Sequence, residues 1–197
     1  MKRILFLEGN IQIGKSTIIS NSLKSHIDDA YIGGFLCQRL TKDRKTKAFR
    51  IISTDKAETT AIEYKADMPD VFLEEISGKW IKYENIFRTK GIELLSNISL
   101  KRIIFLDEIG GFELLIDEFR EKLYEVLKSG IPIIGVIKSD KNGMIMKNTV
   151  GLKNDYWNYY LNLRSDIKKL YGGKILNVNK YNILSIENQV KTFLSEL

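Results

Sequence analysis

The chain has 197 residues, 44% of them hydrophobic and 28% charged. That length suits one ordinary domain and would cramp two, and so many aromatic and branched aliphatic residues exclude disorder as the main state. A chain of this size buries about 70% of its unfolded surface, so a core can hold it without disulfides; the one cysteine, Cys37, could not form an internal bridge anyway. The 31 basic residues outnumber the 25 acidic ones, for a charge of +6. They are scattered, and the run Lys42-Asp43-Arg44-Lys45-Thr46-Lys47 reads as a solvated turn, with attraction of a polyanion as the alternative. No apolar run reaches the ~18 residues of a spanning helix. The stretch Ile4 to Leu7 after Met-Lys-Arg is too short for a secretory core. With the unpaired thiol, this predicts a cytoplasmic protein.

In chain order, residues 2–8 predict a buried strand ended by Gly9, and 15–26 a helix with Ile18, Ile19 and Leu23 on one face. Tyr31 to Leu40 and Lys47 to Thr54 flank a polar turn and predict an antiparallel hairpin. Residues 55–79 read as irregular, 80–83 as a short strand and 84–98 as a helix. Arg102 to Leu106 has the unbroken apolarity of a strand covered on both faces. A helix over 113–128 closes at Gly130, and a second apolar strand follows at Ile131 to Ile137. The segment 138–152 is polar and glycine-punctuated; 154–170 predicts a helix, 174–178 a strand, and 185–196 a terminal helix capped by Ser185. Alternating strands and helices predict an α/β fold with a mainly parallel sheet flanked by helices.

Residues 9–16, Gly-Asn-Ile-Gln-Ile-Gly-Lys-Ser, satisfy G-x-x-x-x-G-K-[ST] between an apolar strand and a helix. There the backbone N–H groups and the helix N-terminus converge on one anion. Gly9, Asn10, Ile11, Gln12, Ile13, Gly14, Lys15, Ser16 and Thr17 are therefore the candidate nucleotide-binding residues. Lys15 is expected to reach the β and γ phosphates, and Ser16 to offer its hydroxyl to Mg²⁺. At the end of the second buried strand stand Asp107 and Glu108. An acid in the first place holds Mg²⁺ in P-loop proteins, and the carboxylate after it can orient a water for attack on the γ phosphate. A helix-start acid is the plainer reading of Glu108. Arg88, Arg102, Arg120 and Arg164 are too dispersed to mark the arginine-rich lid of a nucleotide kinase, so hydrolysis is favoured.

Together these segments resemble the small cancer-related nucleoside-triphosphatase family, a P-loop group related to thermophile nucleoside-triphosphatases. The carrying residues are 9–16, Gly33-Gly34-Phe35 with the basic turn and Ala48-Phe49-Arg50-Ile51-Ile52, and Leu106-Asp107-Glu108-Ile109-Gly110 with Glu113-Leu114. Ile175-Leu176-Asn177-Val178-Asn179 is a weaker echo. The resemblance implies a RecA-like P-loop fold and Mg²⁺-dependent hydrolysis of nucleoside 5′-triphosphates with little base preference. It assigns Lys15 and Glu108 to catalysis, and Ser16 and Asp107 to the metal. Three departures stand out. Asn10, Ile11 and Gln12 replace a proline and a third glycine, Gly111 stands where relatives commonly place lysine, and 139–172 is longer than usual.

The sequence thus predicts one P-loop nucleoside-triphosphatase domain over 1–197, with 139–172 as a possible lid-like addition. The substrate would be ATP, GTP or another nucleoside triphosphate. No membrane contact is expected, nucleic acid is possible but not indicated, and a protein partner is left open. A phosphotransferase with a small acceptor and a nucleotide-dependent switch for a protein or RNA are the alternatives. In 139–172, Tyr156, Trp157, Tyr159 and Tyr160 could stack on a base, but packing is expected. One of Lys138, Ser139 and Asp140, at a strand's carboxyl end, is a candidate γ-phosphate sensor. His26 reads as a surface residue and Cys37 as a small buried hydrophobe.

Overall fold

The computed structural model describes residues 3–56 and 61–197. Lys2 of the expected first strand and residues 57–60 of the stretch 55–79 lie outside the described residues. Among the described residues nine strands form one sheet: β1 (Ile4–Gly9), β2 (Ile32–Lys42), β3 (Lys45–Ser53), β4 (Ile62–Glu63), β5 (Val71–Ile76), β6 (Lys79–Lys82), β7 (Ile103–Ile109), β8 (Ile133–Ile137) and β9 (Lys174–Val178). The order is β6-β5-β3-β2-β7-β8-β1-β9, with β4 pairing β2. From β2 to β9 all pairings are parallel; β2-β3, β3-β5 and β5-β6 are antiparallel.

Alternation along the central strands builds two cores. Phe6, Ile104, Leu106, Ile133 and Ile137 face one side, with helices α3 (Ile92–Ser96), α4 (Asp117–Lys128) and α6 (Asp155–Lys169). Leu5, Leu7, Ile103, Phe105, Ile134 and Val136 face the other, with α1 (Lys15–Lys24) and α7 (Ile183–Ser195). Successive strand residues point to opposite faces, which is why the strands read as unbroken apolar runs. Gly135 lets β8 lie close between its neighbours: a Cβ there would sit 2.1 Å from the Leu106 carbonyl oxygen and 2.7 Å from the Phe6 ring.

Several expectations are corrected. The antiparallel part is larger than a hairpin, because the stretch read as irregular contains β5, which pairs β3 and β6; the same stretch holds β4, which joins β2 in parallel. The β2-β3 turn needs only Asp43 and Arg44, both at positive φ (51° and 63°), as tight hairpins require. The helix over 84–98 is α2 (Glu84–Ile86), a π turn (Phe87–Gly91) and α3. Residues 138–152 hold a helix, α5 (Asp140–Val150), between the Ser139 N-cap and a left-handed Gly151. Its interior Gly143 obscured the pattern; a Cβ there would meet the Tyr160 ring at 3.2 Å. The last helix starts at Ile183, so Asn182 and not Ser185 precedes it. No helix among the described residues is long and apolar enough to cross a membrane.

Candidate active site

The phosphate loop joins β1 to α1 at the carboxyl end of the sheet. Gly9 sits at φ 144°, and a Cβ on it would lie 2.3 Å from the carbonyl oxygen of Val178, so only glycine lets β1 turn off beside β9. Gly14, at φ 93°, precedes the first turn of α1, and Asn10, Ile11 and Gln12 are exposed. Gln12 stands at φ 64°, a conformation a glycine would adopt freely; here the departure from the family pattern carries local strain. Lys15 is 5% exposed and donates from Nζ to the carbonyls of Gly9 (3.3 Å) and Asn10 (2.8 Å). Burial lowers its pKa, against the opposing pull of Glu108 and Asp107.

Ser16 reaches across the sheet. Its hydroxyl donates to Asp107 Oδ1 at 2.6 Å, although β8 lies between the strands that carry the loop and the acid. The Cys37 backbone N–H donates to Asp107 Oδ2 at 3.2 Å, and its thiol lies 3.3 Å from the Asp107 carbonyl oxygen. Cys37 is thus half-buried beside the acid, not simply a core hydrophobe. Burial, then the neighbouring charge of Glu108, push the Asp107 carboxyl up to about 7, partly offset by the Ser16 and Cys37 hydrogen bonds.

Glu108 sits at φ 58° where the β7-β8 register slips between Leu106 and Ile109. This bulge turns its side chain to meet the Lys138 ammonium, 2.8 Å away at the end of β8. Burial pushes this carboxyl up, but Lys138, then Lys15 and Arg39, bring it net below its ordinary value. Burial pulls the Lys138 ammonium down, but Glu108, with Glu113 and Cys37 behind it, raises it overall. A Cβ on Gly111 would lie 3.2 Å from Lys138 Cε and 2.6 Å from Glu113 Oε2. The glycine therefore leaves room for a lysine that arrives from another strand.

The segment 139–172 braces this turn. The Tyr156 hydroxyl donates to the Gly110 carbonyl (2.8 Å), Tyr160 to the Lys138 carbonyl (2.9 Å), and Asn142 Nδ2 to the Gly9 carbonyl (3.0 Å). Arg164 pairs with Glu8 at 2.7 Å and with Asp140 at 3.2 Å. Tyr156 and Tyr160 are fully buried, so packing is their role, as expected. Of the three sensor candidates only Lys138 contacts an acid of the site; Ser139 caps α5 and Asp140 serves Tyr160 and Arg164. His26 is exposed. Glu113 is a site residue that sequence reasoning missed. Its buried carboxylate accepts from the N–H groups of Gly110 (2.7 Å) and Gly111 (2.8 Å) and fixes the turn after Glu108. Among the described residues no group of three or more His, Cys, Asp or Glu side chains could hold a metal; Ser16 and Asp107 form the oxygen pair suited to a hard cation.

A glycine loop that opens a helix, its serine bonded to an acid at the tip of a strand two places away, defines a P-loop nucleotide hydrolase. The chain belongs to the NTPase family, whose sequence profile matches residues 4–191, and it is a nucleoside-triphosphatase. It is similar to the nucleoside-triphosphatase THEP1 of Thermotoga maritima, 29% identical over 184 residues, 90% of this chain and 96% of that protein. The THEP1 of Saccharolobus solfataricus is 25% identical over 167 residues, 80% of this chain and 92% of that protein. The fold matches the crystal structure of THEP1 from Aquifex aeolicus (TM-score 0.63, 17% identity, 97% of this chain and 98% of that one). It matches equally the solution structure of a human cancer-related nucleoside triphosphatase (TM-score 0.63, 17% identity, 98% of each chain).

Proposed function

We propose that this nucleoside-triphosphatase is Mg²⁺-dependent and that Glu108 orients the attacking water. The observation that carries the reading is the 2.6 Å bond between Ser16 and Asp107, which brings the two halves of the motif together. The donor set fits Mg²⁺: a hydroxyl and one carboxylate are hard oxygen ligands, and phosphate oxygens and water complete such a shell. The Asp107 carboxyl, 2% exposed and pushed up to about 7, gains from a cation beside it. When bound, the ion neutralises charge on the β and γ phosphates.

The chain's own groups do the rest. Amides from about Gly14 to Thr17 wrap the phosphate oxygens, and Lys15 leaves its two carbonyl partners for the β and γ oxygens. Lys138 keeps Glu108 ionised and aimed. Glu108 then holds a water in line with the γ phosphorus and takes its proton as the bond to the diphosphate breaks. The 139–172 segment holds the Lys138 carbonyl through Tyr160 and the Gly110 carbonyl, two residues after Glu108, through Tyr156. The lone thiol supports a cytoplasmic setting.

Phosphate release from the four ribonucleoside triphosphates, with and without Mg²⁺, tests the reading. Turnover only with the ion, and loss of at least ~100-fold in Lys15→Ala, are expected. Turnover that persists in EDTA, or an active Lys15→Ala chain, overturns it.

A further inference from the structure

We propose that Arg39 is this chain's own arginine finger: a catalytic cation on β2 that reaches the γ phosphate and stabilises the charge developing there during hydrolysis. The inference rests on the reading above and adds a residue that neither the loop motif nor the acidic pair contains.

The strand register places it. β2 runs parallel to β7 up to the pair Phe35 and Leu106, and Cys37, two residues on, touches Asp107 with its N–H and its thiol. Phe35 and Cys37 face the same core, so alternation puts Arg39 on that face as well. One further step along β2 carries it past Asp107 to the level where Glu108 turns out of β7. Its charge bears on both Lys15 and Glu108, which are the phosphate-binding cation and the water-orienting acid.

The hydrogen bonding of Arg39 is unfinished. Its Nε is buried with no hydrogen-bond partner among the described residues, and its guanidinium lies 5.9 Å from the Phe49 ring centre. A buried donor left unpaired costs about 1–3 kcal/mol, more where it is charged, and an arriving anion removes that cost. Four other arginines are engaged. Arg50 donates to Gln38 at 2.9 Å, Arg120 to Asp117 at 2.6 Å, and Arg164 to Glu8 at 2.7 Å, while Arg88 pairs with Glu84 and Glu118 at 3.4 Å. Lys138 is committed to Glu108.

The chemistry suits a guanidinium. Water oxygen bonds to the γ phosphorus, the bond from that phosphorus to the bridging oxygen breaks, and the water proton passes to Glu108. Charge spreads over the three equatorial γ oxygens meanwhile. A planar fork of donors binds two such oxygens at once and transfers no proton itself.

Arg39→Ala and Arg39→Lys are compared with the parent in three measurements: kcat, ADP affinity, and the melting shift given by ADP with Mg²⁺ and aluminium fluoride. The expected result is a fall in kcat of ~10³-fold in Arg39→Ala, with ADP affinity within about threefold and the extra aluminium-fluoride shift abolished. Arg39→Lys recovers only part of kcat, since it keeps the charge and loses the fork. If Arg39→Ala does not fold, Arg39→Gln is read in its place. A kcat within threefold of the parent, or an ADP affinity that falls as far as kcat, overturns the proposal. A parent inactive with Mg²⁺ fails the underlying reading instead and takes the finger with it; an active parent beside an equally active Arg39→Ala fails the finger alone.

Discussion

Glu108 combines two costs that only function explains. Its backbone stands at φ 58°, unfavourable by about 1–2 kcal/mol for a side chain with a Cβ, and its carboxylate is ionised in a half-buried place by Lys138. Replacing the charge and keeping the shape separates binding from chemistry. Glu108→Gln is expected to hold nucleotide within about threefold of the parent and to lose at least ~100-fold in kcat, as measured by equilibrium binding and single-turnover hydrolysis. Asp107 yields a prediction of opposite sign for stability. Its carboxyl titrates near 7 in the folded protein against 3.8 when exposed. Between those values the folded chain keeps a proton that the unfolded chain has lost, so stability falls as pH rises through that window and the full penalty remains above it. Asp107→Asn removes the penalty; its amide can donate to the Ser16 oxygen while its carbonyl accepts from Cys37. In EDTA at pH 8 its melting temperature is expected to exceed the parent's by roughly 10 °C, and the difference to vanish near pH 4, while Mg²⁺-dependent turnover is lost. An unchanged melting curve at both pH values contradicts this. Lys15, Ser16, Asp107 and Glu108 could be read in the chain because each belongs to a run whose neighbours announce it. Lys138 as the partner of Glu108, and Arg39, could not, since 30 residues separate the first pair and only strand pairing brings Arg39 to the acids.

Helices α5 and α6 show how an element with no chemistry of its own positions chemistry. Tyr156 and Tyr160 are fully buried and hold the carbonyls of Gly110, just after the Glu108 bulge, and of Lys138, at the end of the neighbouring strand β8. Tyr156→Phe keeps the packing and leaves the Gly110 carbonyl without its donor. A loss of about 1–2 kcal/mol in denaturant unfolding is expected, with kcat reduced more than KM is raised because the turn carrying Glu108 loosens. A stable variant with parental kcat removes α6 from the account. The elements that escaped the sequence share a cause. β5 was lost among polar residues of an irregular stretch, and α5 was masked by Gly143, which tertiary packing against Tyr160 demands over helix propensity. The central strands and the flanking α1, α4, α6 and α7 were legible because burial on one or both faces imprints a period on the residues themselves.

The sheet gathers the carboxyl ends of β1, β7 and β8 and the middle of β2 around one anion site, so occupancy of that site and stability of the whole chain are linked. Lys15, Lys138 and Arg39 stand with Asp107 and Glu108 around this site, and bound phosphates would draw on the three cations. At a hundred times its Kd, Mg²⁺-nucleotide adds about 2.7 kcal/mol, a rise in melting temperature of roughly 5–10 °C for a chain of this length. Lys15→Ala is expected to remove most of that rise, and a full shift in the variant would exclude the loop as the main anchor. The phosphate loop, the acidic strand tip and the α/β class with helices on both faces of the sheet were fixed by local order along the chain: spacing, apolar runs and glycine placement act within a few residues and need no partner. The company each site residue keeps was decided by folding. The Lys138–Glu108 pair, the place of Arg39 beside the acids and the reach of Ser16 to Asp107 exist because a sheet in the order β2-β7-β8-β1 sets distant residues side by side, and contact across strands leaves no mark on sequence spacing.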